Sequence, residues 1–192
     1  MVESVDFAKL IQTLARQALD SLADTTSFGQ LATVSSGGTT TYTVTSPVLP
    51  SGLKIAVDVR GKIECSFNAD TELQRQEAAR LRGEFERAYI GRAYEAALTI
   101  NGYECSVRST DNGEVVINAK KQTGESIPVV IDKQGDAVIE FDCFQGKACE
   151  KEDAKLDHLL GHLGIKPDKT LSRPKTSVDN EGVKNTSQRE LQ

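Results

Sequence analysis

Gly146 and Cys149 are the residues for which the sequence suggests a specific chemistry. They belong to residues 144–149 (FQGKAC), between a predicted strand and an amphipathic helix. The first N–H groups of a helix lack backbone partners and carry partial positive charge. A thiol at that position can have a lowered pKa and become reactive. In a second interpretation Cys149 is buried and anchors the corner, and Gly146 supplies positive φ or close packing. In a third, Cys149 is a catalytic nucleophile, although no histidine is spaced to be assigned as its base.

Cys143, Cys149, His158 and His162 form the other candidate set, because cysteine and histidine are common zinc ligands. Their spacing is C-x5-C-x8-H-x3-H, which sets the histidines one helical turn apart. Cys149 and His158 are nine residues apart on one predicted helix, about 13 Å along its axis. Zinc ligands lie about 2 Å from the ion, so the full set needs Cys149 on a folded-back loop. We therefore predict no metal site and no cofactor.

Other enzyme signatures do not occur in the sequence. It contains no phosphate-binding glycine-rich loop, no H-E-x-x-H and no G-x-S-x-G. We therefore assign no catalytic residue, and the sequence leaves enzymatic activity open.

Composition narrows the class of protein. The chain has 192 residues, a net charge of −5 and 38% hydrophobic residues. No run approaches the roughly 20 apolar residues of a membrane span, and the first residues lack a basic region followed by an apolar one. We therefore predict a cytoplasmic protein without a membrane partner. In that reducing compartment the four cysteines are expected as free thiols, with Cys65, Cys105 and Cys143 as small buried residues of strands.

Five arginines on one long predicted helix suggest a nucleic-acid surface. They are Arg75, Arg80, Arg82, Arg87 and Arg92. Five glutamates are interleaved with them, and mixed charge on a helix is typical of a solvated surface. An acidic chain also disfavours sequence-independent binding to phosphates. Weak nucleic-acid binding is accordingly kept as a minor alternative.

The pattern of apolar residues and breakers predicts an α+β fold. Residues 1–24 form an amphipathic helix, which either packs on the body or projects as a docking arm. Residues 25–40, rich in Ser, Thr and Gly, read as a linker. Residues 41–121 form a ββαββ unit and residues 127–164 a ββα unit, which build an antiparallel sheet with helices on one face. Residues 165–192 read as a disordered tail.

Residues 127–164 resemble a small bacterial domain family of unknown function. The resemblance rests on a β-hairpin, the Gly146 and Cys149 corner, and a helix with Leu160-Gly161 near its end. It implies the same hairpin, Gly-x-x-Cys corner and helix for this chain. It implies no reaction, because the family carries no assigned activity.

Residues 53–121 resemble the C-terminal half of a conserved open-reading-frame family of cyanobacteria and plastids. The shared features are a hairpin, a helix with an aromatic such as Tyr89, the Gly102-Tyr103 step and a closing hairpin. In bacterial genomes the two families neighbour each other, an AAA+ ATPase and sometimes a ferredoxin. The resemblance therefore implies a fusion of the two families that associates with an AAA+ ATPase or a redox complex.

These observations predict a non-enzymatic interaction or adaptor protein with a protein partner. The alternative is a redox- or metal-responsive protein that acts through Cys149. The sequence leaves the oligomeric state and the identity of the partner open.

Overall fold

The computed structural model describes residues 5–25, 31–145, 147–168 and 188–191. This part of the chain confirms the α+β class. Its helices are α1 (Phe7–Thr25), α2 (Glu72–Ile100) and α3 (Ala148–His162). Its first strands are β1 (Leu31–Ser36), β2 (Thr39–Val44), β3 (Leu53–Asp58), β4 (Ile63–Phe67) and β5 (Glu104–Ser109). The others are β6 (Val115–Lys120), β7 (Ser126–Ile131), β8 (Ala137–Ile139), β9 (Ile165–Asp168) and β10 (Gln188–Leu191).

The chain forms two compact units, the first of which is built on the sheet β1-β2-β3-β4. It also contains α1, the start of α2 and His162–Gly164. Its strands are antiparallel and follow chain order. Strand β3 alternates buried and more accessible residues, the pattern of a sheet with one face on a core.

Helix α1 packs on the body of the first unit and is not a projecting arm. Its buried face consists of Ile11, Leu14, Ala15, Ala18, Leu19 and Leu22. The Gln12 side-chain amide donates to the carbonyl of Val57 at 3.2 Å and accepts from the Tyr42 hydroxyl at 3.2 Å. The apolar stripe predicted from the sequence is therefore the face that covers the sheet.

The prediction of a linker over residues 25–40 is wrong where the structure describes it. Residues 31–40 belong to the β1–β2 hairpin, which turns at Gly37 and Gly38 with φ of +59° and +81°. Two successive residues with positive φ make the tight turn that suits a hairpin. Strand β2 buries Tyr42 and Val44, so a polar sequence is held by a few apolar contacts. Residues 26–30 lie outside the described part.

Two glycines allow the β3–β4 turn to meet the end of α3 within the first unit. Gly61 and Gly164 have φ of +79° and +82°. A Cβ on Gly61 would lie 2.7 Å from the carbonyl carbon of Leu163, and one on Gly164 would collide with the Gly61 carbonyl. The buried Tyr89 hydroxyl donates to the Leu163 carbonyl at 2.9 Å. This contact fixes the carbonyl end of α3, which needs a partner when it is buried.

The second unit is built on the sheet β5-β6-β7-β8 and also contains the end of α2, most of α3, β9 and β10. The predicted ββαββ and ββα units are therefore regrouped. Strand β6 pairs with β7, so β5 and β6 share a sheet with β7 and β8. The described strands form two four-stranded sheets and the β9–β10 pair in place of one antiparallel sheet. Only five residues separate β6 from β7, whereas the 29-residue α2 intervenes between β4 and β5. Strands joined by short turns are usually neighbours in a sheet.

Two short strands are described within residues 165–192, the range predicted as a disordered tail. Strand β9 pairs antiparallel with β10 over four positions. Ile165 is fully buried. Residues 169–187 lie outside the described part. Among the described helices, none is both long and apolar enough to cross a membrane.

Candidate functional site

Cys149 lies in the core at the start of α3. It is the second residue of the helix, and only 4% of its surface is exposed. The residues around it, Gln145, Lys147 and Ala148, are exposed, while Gly146 lies outside the described residues. The burial agrees with the interpretation of Cys149 as an anchor of the corner. The reactivity of its thiol stays a prediction for experiment.

The four candidate zinc ligands are not brought together. Cys143 is exposed, whereas Cys149 is buried, and His162 stacks on Phe7 with ring centroids 4.5 Å apart. Within the described ranges, no three His, Cys, Asp or Glu side chains are grouped as a metal site would require. The prediction that Cys143 is buried in a strand is wrong, because the residue has a φ of +65°, which ends the extended backbone.

Burial disfavours the thiolate form of the remaining two cysteines. Cys65 and Cys105 are half-buried. Burial raises the pKa of the Cys65 thiol to about 11, and Glu86 adds to the rise. Burial also raises the pKa of Cys105. Thiolates are the reactive form, so the raised pKa values work against reaction at both residues.

The arginines of α2 are largely engaged with glutamates of the same helix. The ion pairs are Arg75–Glu72 at 3.1 Å, Arg80–Glu77 at 2.9 Å, Arg80–Glu84 at 2.8 Å and Arg82–Glu86 at 2.6 Å. Each pair spans one helical turn, the spacing at which charges on a helix meet. This arrangement fits a solvated helix surface and leaves little free positive charge for a phosphate backbone.

Sequence reasoning missed a buried carboxylate in the second unit. Glu152 is 5% exposed. Its Oε1 accepts hydrogen bonds from Asn101 Nδ2 at 2.8 Å, the Tyr103 hydroxyl at 2.8 Å and Lys121 Nζ at 2.7 Å. Its Oε2 accepts from Lys155 Nζ at 3.1 Å. These five residues are called the Glu152 cluster below.

The Glu152 cluster holds its central carboxylate in the ionised form. Burial acts to raise the pKa of Glu152, but the hydrogen bonds from Lys121, Tyr103 and Lys155 outweigh burial and hold that pKa below its usual range. Burial and the bond to the carboxylate raise the pKa of Tyr103, so its hydroxyl remains a donor. The Lys121 ammonium also lies 4.3 Å from the centroid of the Tyr103 ring. The cluster therefore joins α3 to the loop before β5 and to the end of β6.

The spacing of α3 contained a signal for this cluster. Cys149, Glu152, Leu156 and Leu160 are its buried residues and recur at intervals of three and four. A carboxylate in that stripe must be paired, because an isolated buried charge is very costly. The sequence does not say which residues supply the pairing, since Asn101, Tyr103 and Lys121 come from distant segments.

Strand β4 leaves one edge of the first sheet open. It is the outermost strand, and no other strand of the described chain pairs beside it. The Asp58 amide donates to the Lys62 carbonyl at 3.1 Å, which sets the alternation of the antiparallel ladder. Glu64 and Ser66 therefore bond to β3, while the backbone groups of Ile63, Cys65 and Phe67 point toward the open edge.

A small cleft lies at the end of this edge. Its volume is about 90 Å³, and it is lined by Ser51, Gly52, Lys54, Ser66, Phe67 and Asn68. The Phe67 side chain is 42% exposed, and Lys54 is exposed as well. The cleft, called the β4 cleft below, thus offers an aromatic surface and a cation beside open backbone groups.

Comparisons with protein-family models, with curated proteins and with solved structures give no match for this chain. The resemblance of residues 127–164 and 53–121 to two families therefore stays a prediction.

Proposed function

We propose that this protein is a non-enzymatic adaptor that binds an extended segment of another protein along β4. The observation that carries the proposal is the open edge of β4, which ends at the exposed Phe67 beside the cationic β4 cleft. An added strand takes its affinity from backbone hydrogen bonds and its specificity from alternate side chains. This edge offers both open backbone groups and exposed side chains.

The alternation of β4 defines the chemistry of the segment. Its backbone would pair with the outward groups of Ile63, Cys65 and Phe67. Side chains on one face of the segment would lie beside Phe67, which favours apolar residues. Side chains on the other face would lie on the side of Ser66 and Lys54, which favours carboxylates. The proposed ligand is therefore an extended segment with alternating apolar and acidic residues.

Charges on the outer face of β4 would limit indiscriminate pairing. Lys62 and Glu64 form an ion pair at 2.6 Å there, with both side chains exposed. Charged residues on an edge strand are a common protection against aggregation. A partner must fit this pair as well as the β4 cleft, so the edge would be selective.

The resemblance given above supplies the first partner to test, an AAA+ ATPase or a component of a redox complex. We place the interaction in the cytoplasm, where free thiols such as the four of this chain persist.

Selection of peptides from a random display library tests the proposal on the full chain. We expect the enriched peptides to alternate apolar and acidic residues. Phe67→Ser and Lys54→Glu should each weaken their affinity at least about tenfold, as truncation of a central contact does. Val34→Ser is the matched control, because Val34 is an exposed valine on the opposite edge strand of the same sheet. It should leave affinity unchanged.

A backbone variant separates strand addition from simple side-chain contact. Cys65→Pro removes an N–H that points to the open edge and that the β3–β4 ladder does not use. It should abolish peptide binding while circular dichroism stays native. Peptides that bind Phe67→Ser and Cys65→Pro as well as the wild-type protein would refute the proposal, as would a library that yields no binder.

A further inference from the structure

Strand β5 forms an open edge on the second sheet. It is the outermost strand of that sheet, and no other described strand pairs beside it. Five of its six residues are exposed, and only Cys105 is half-buried. Val107 is 44% exposed although it lies opposite the fully buried Ile117 in β6. An apolar side chain is thus left open on the core-facing side of the edge.

The hydrogen bonds of the β5–β6 hairpin show which backbone groups are open. The Thr110 amide donates to the Glu114 carbonyl at 2.9 Å, and the two residues continue the register of the hairpin. Hydrogen-bonded and non-hydrogen-bonded pairs alternate in an antiparallel ladder. Glu104, Ser106 and Arg108 therefore bond to β6. The backbone groups of Cys105 and Val107 point to the open edge.

We propose that β5 pairs antiparallel with β5 of a second copy of this chain, about a two-fold axis at Ser106. In this register Cys105 lies opposite the partner's Val107. Both residues present outward backbone groups, so they form hydrogen-bonded pairs on either side of the axis. The same patch is used twice, which is the rule for a two-fold interface.

Charge complementarity selects this register. A centre at Ser106 sets Glu104 opposite the partner's Arg108, twice per dimer. These are non-hydrogen-bonded pairs, in which facing side chains are closest. Neither Glu104 nor Arg108 has an ion-pair partner among the described residues. A two-fold axis at Cys105 would set Glu104 opposite the partner's Ser106, and an axis at Val107 would set Arg108 opposite the partner's Ser106. Neither of these registers forms the two Glu104–Arg108 ion pairs.

The same register covers the exposed valine. Val107 and the partner's Cys105 lie on the core-facing side of the sheet, because their partners in β6 are the buried Ile117 and Ala119. Pairing across the axis removes Val107 from water at both ends of the dimer. The inference concerns a different sheet from the β4 cleft and does not depend on the proposed function.

Sedimentation velocity of the full chain over a range of concentrations tests the dimer. We expect a species of twice the chain mass of 20.8 kDa. Arg108→Glu sets like charges opposite each other and should weaken the dimer about tenfold or more. The double exchange Glu104→Arg with Arg108→Glu restores opposite charges and should restore the dimer. Arg60→Glu, at an exposed arginine of the β3–β4 turn, should change nothing.

A cysteine at the axis tests the register. Cα atoms of a non-hydrogen-bonded pair lie about 4.5 Å apart, within the range of a disulfide. In a Cys143→Ser background, Ser106→Cys should oxidise to a covalent dimer. Ser109→Cys should not, because its copy lies about 20 Å away along the strand at 3.4 Å per residue. Three results would each overturn the inference: no association stronger than about 1 mM, a dimer that Arg108→Glu leaves intact, or equal cross-linking of the two cysteines.

Discussion

At the scale of single residues, the contacts of Glu152 predict a large contribution to the stability of the second unit. Its carboxylate is buried and joins α3 to side chains of two other segments, the loop before β5 and the end of β6. Removing one member of a buried ion pair leaves the others without compensation. Lys121 and Lys155 remain partly exposed, so water would compensate some of the loss.

We expect Glu152→Gln to lower the free energy of unfolding by about 2–3 kcal/mol at neutral pH. Glu150→Gln is the matched control on the exposed face of the same helix, and it should stay within about 0.5 kcal/mol of wild type. Urea unfolding followed by circular dichroism measures both. Equal effects of the two substitutions would mean that the Glu152 cluster contributes nothing specific.

The effect of Glu152→Gln on the free energy of unfolding should depend on pH. The folded pKa of Glu152 lies below its unfolded value of about 4.3. Its contribution to stability is therefore present above the unfolded pKa and is lost as pH falls through the folded pKa. The difference in unfolding free energy between wild type and Glu152→Gln should narrow as the pH falls below about 4.

The four thiols should differ in their rates of alkylation. We expect exposed Cys143 to react first with iodoacetamide at neutral pH and buried Cys149 to react last. Cys65 and Cys105 should also be slow, because burial raises the pKa of both thiols. Mass spectrometry of the digested protein resolves each site, and denatured protein supplies the reference rates. Fast labelling of native Cys149 would instead support the redox alternative.

At the scale of secondary-structure elements, α2 contains a glycine that its packing does not require. A Cβ on Gly83 would meet nothing within 4 Å, and the residue has helical φ. Gly83→Ala should therefore raise the free energy of unfolding by about 0.5–1 kcal/mol through helix propensity. The reverse change at exposed Ala79 of the same helix, Ala79→Gly, should lower it by a similar amount. Destabilisation by Gly83→Ala would reveal a close approach at that position.

Gly164, just after α3, is a glycine that alanine should not be able to replace. Gly164→Ala adds a Cβ that collides with the Gly61 carbonyl, at a φ of +82°. We expect a loss of at least about 2 kcal/mol in unfolding free energy. Gly102→Ala isolates the backbone term, because Gly102 has a φ of +86° with open space around its Cβ position. It should cost about 1 kcal/mol. Equal losses at the two sites would show that the contact with Gly61 adds no constraint.

At the scale of the whole molecule, local patterns predicted elements better than they predicted their grouping. The helical period located α1, α2 and α3, because this signal acts within a few residues. The turn of the β5–β6 hairpin is equally local, since Gly113 has a φ of +76° and its amide donates to the Thr110 carbonyl. The assignment of β5 and β6 to one sheet with β7 and β8 depends on pairing between separate hairpins. Composition misled at residues 31–40, where Ser and Thr form a hairpin.

In the candidate sites, too, local features were predictable from the sequence and contacts between distant segments were not. Burial of Cys149 and Glu152 is contained in the spacing of α3. The partners of Glu152 and the open edges of β4 and β5 depend on which strands end each sheet, and one sequence does not contain that information. The prediction for Cys143 is wrong because a single residue with positive φ ends a strand, and the sequence carries no signal for that φ.

Stability of the whole chain should fall on both sides of neutral pH, for different reasons. On the acid side, the hydrogen bond from Arg80 to Glu77 and the Glu152 cluster hold carboxyl pKa values low, so stability is lost as these groups are protonated. On the alkaline side, burial raises the pKa values of Tyr89, Tyr103 and Cys65. Stability from these groups is complete below their unfolded pKa values, about 10 for tyrosine and 8.5 for cysteine, and is lost as pH rises through the folded values.

In the first unit, the loss of stability at alkaline pH can be tested at Tyr89. Tyr89→Phe removes the hydrogen bond to the Leu163 carbonyl, which should cost about 1–2 kcal/mol at neutral pH. It also removes a phenol that the folded state keeps protonated. The variant should therefore lose less stability than wild type between neutral pH and a pH of about 11, which lies above the unfolded pKa of about 10. Urea unfolding at both pH values measures the two effects. If the two proteins lose stability in parallel above neutral pH, Tyr89 ionises as easily in the folded chain as in the unfolded one, and its burial has no electrostatic consequence.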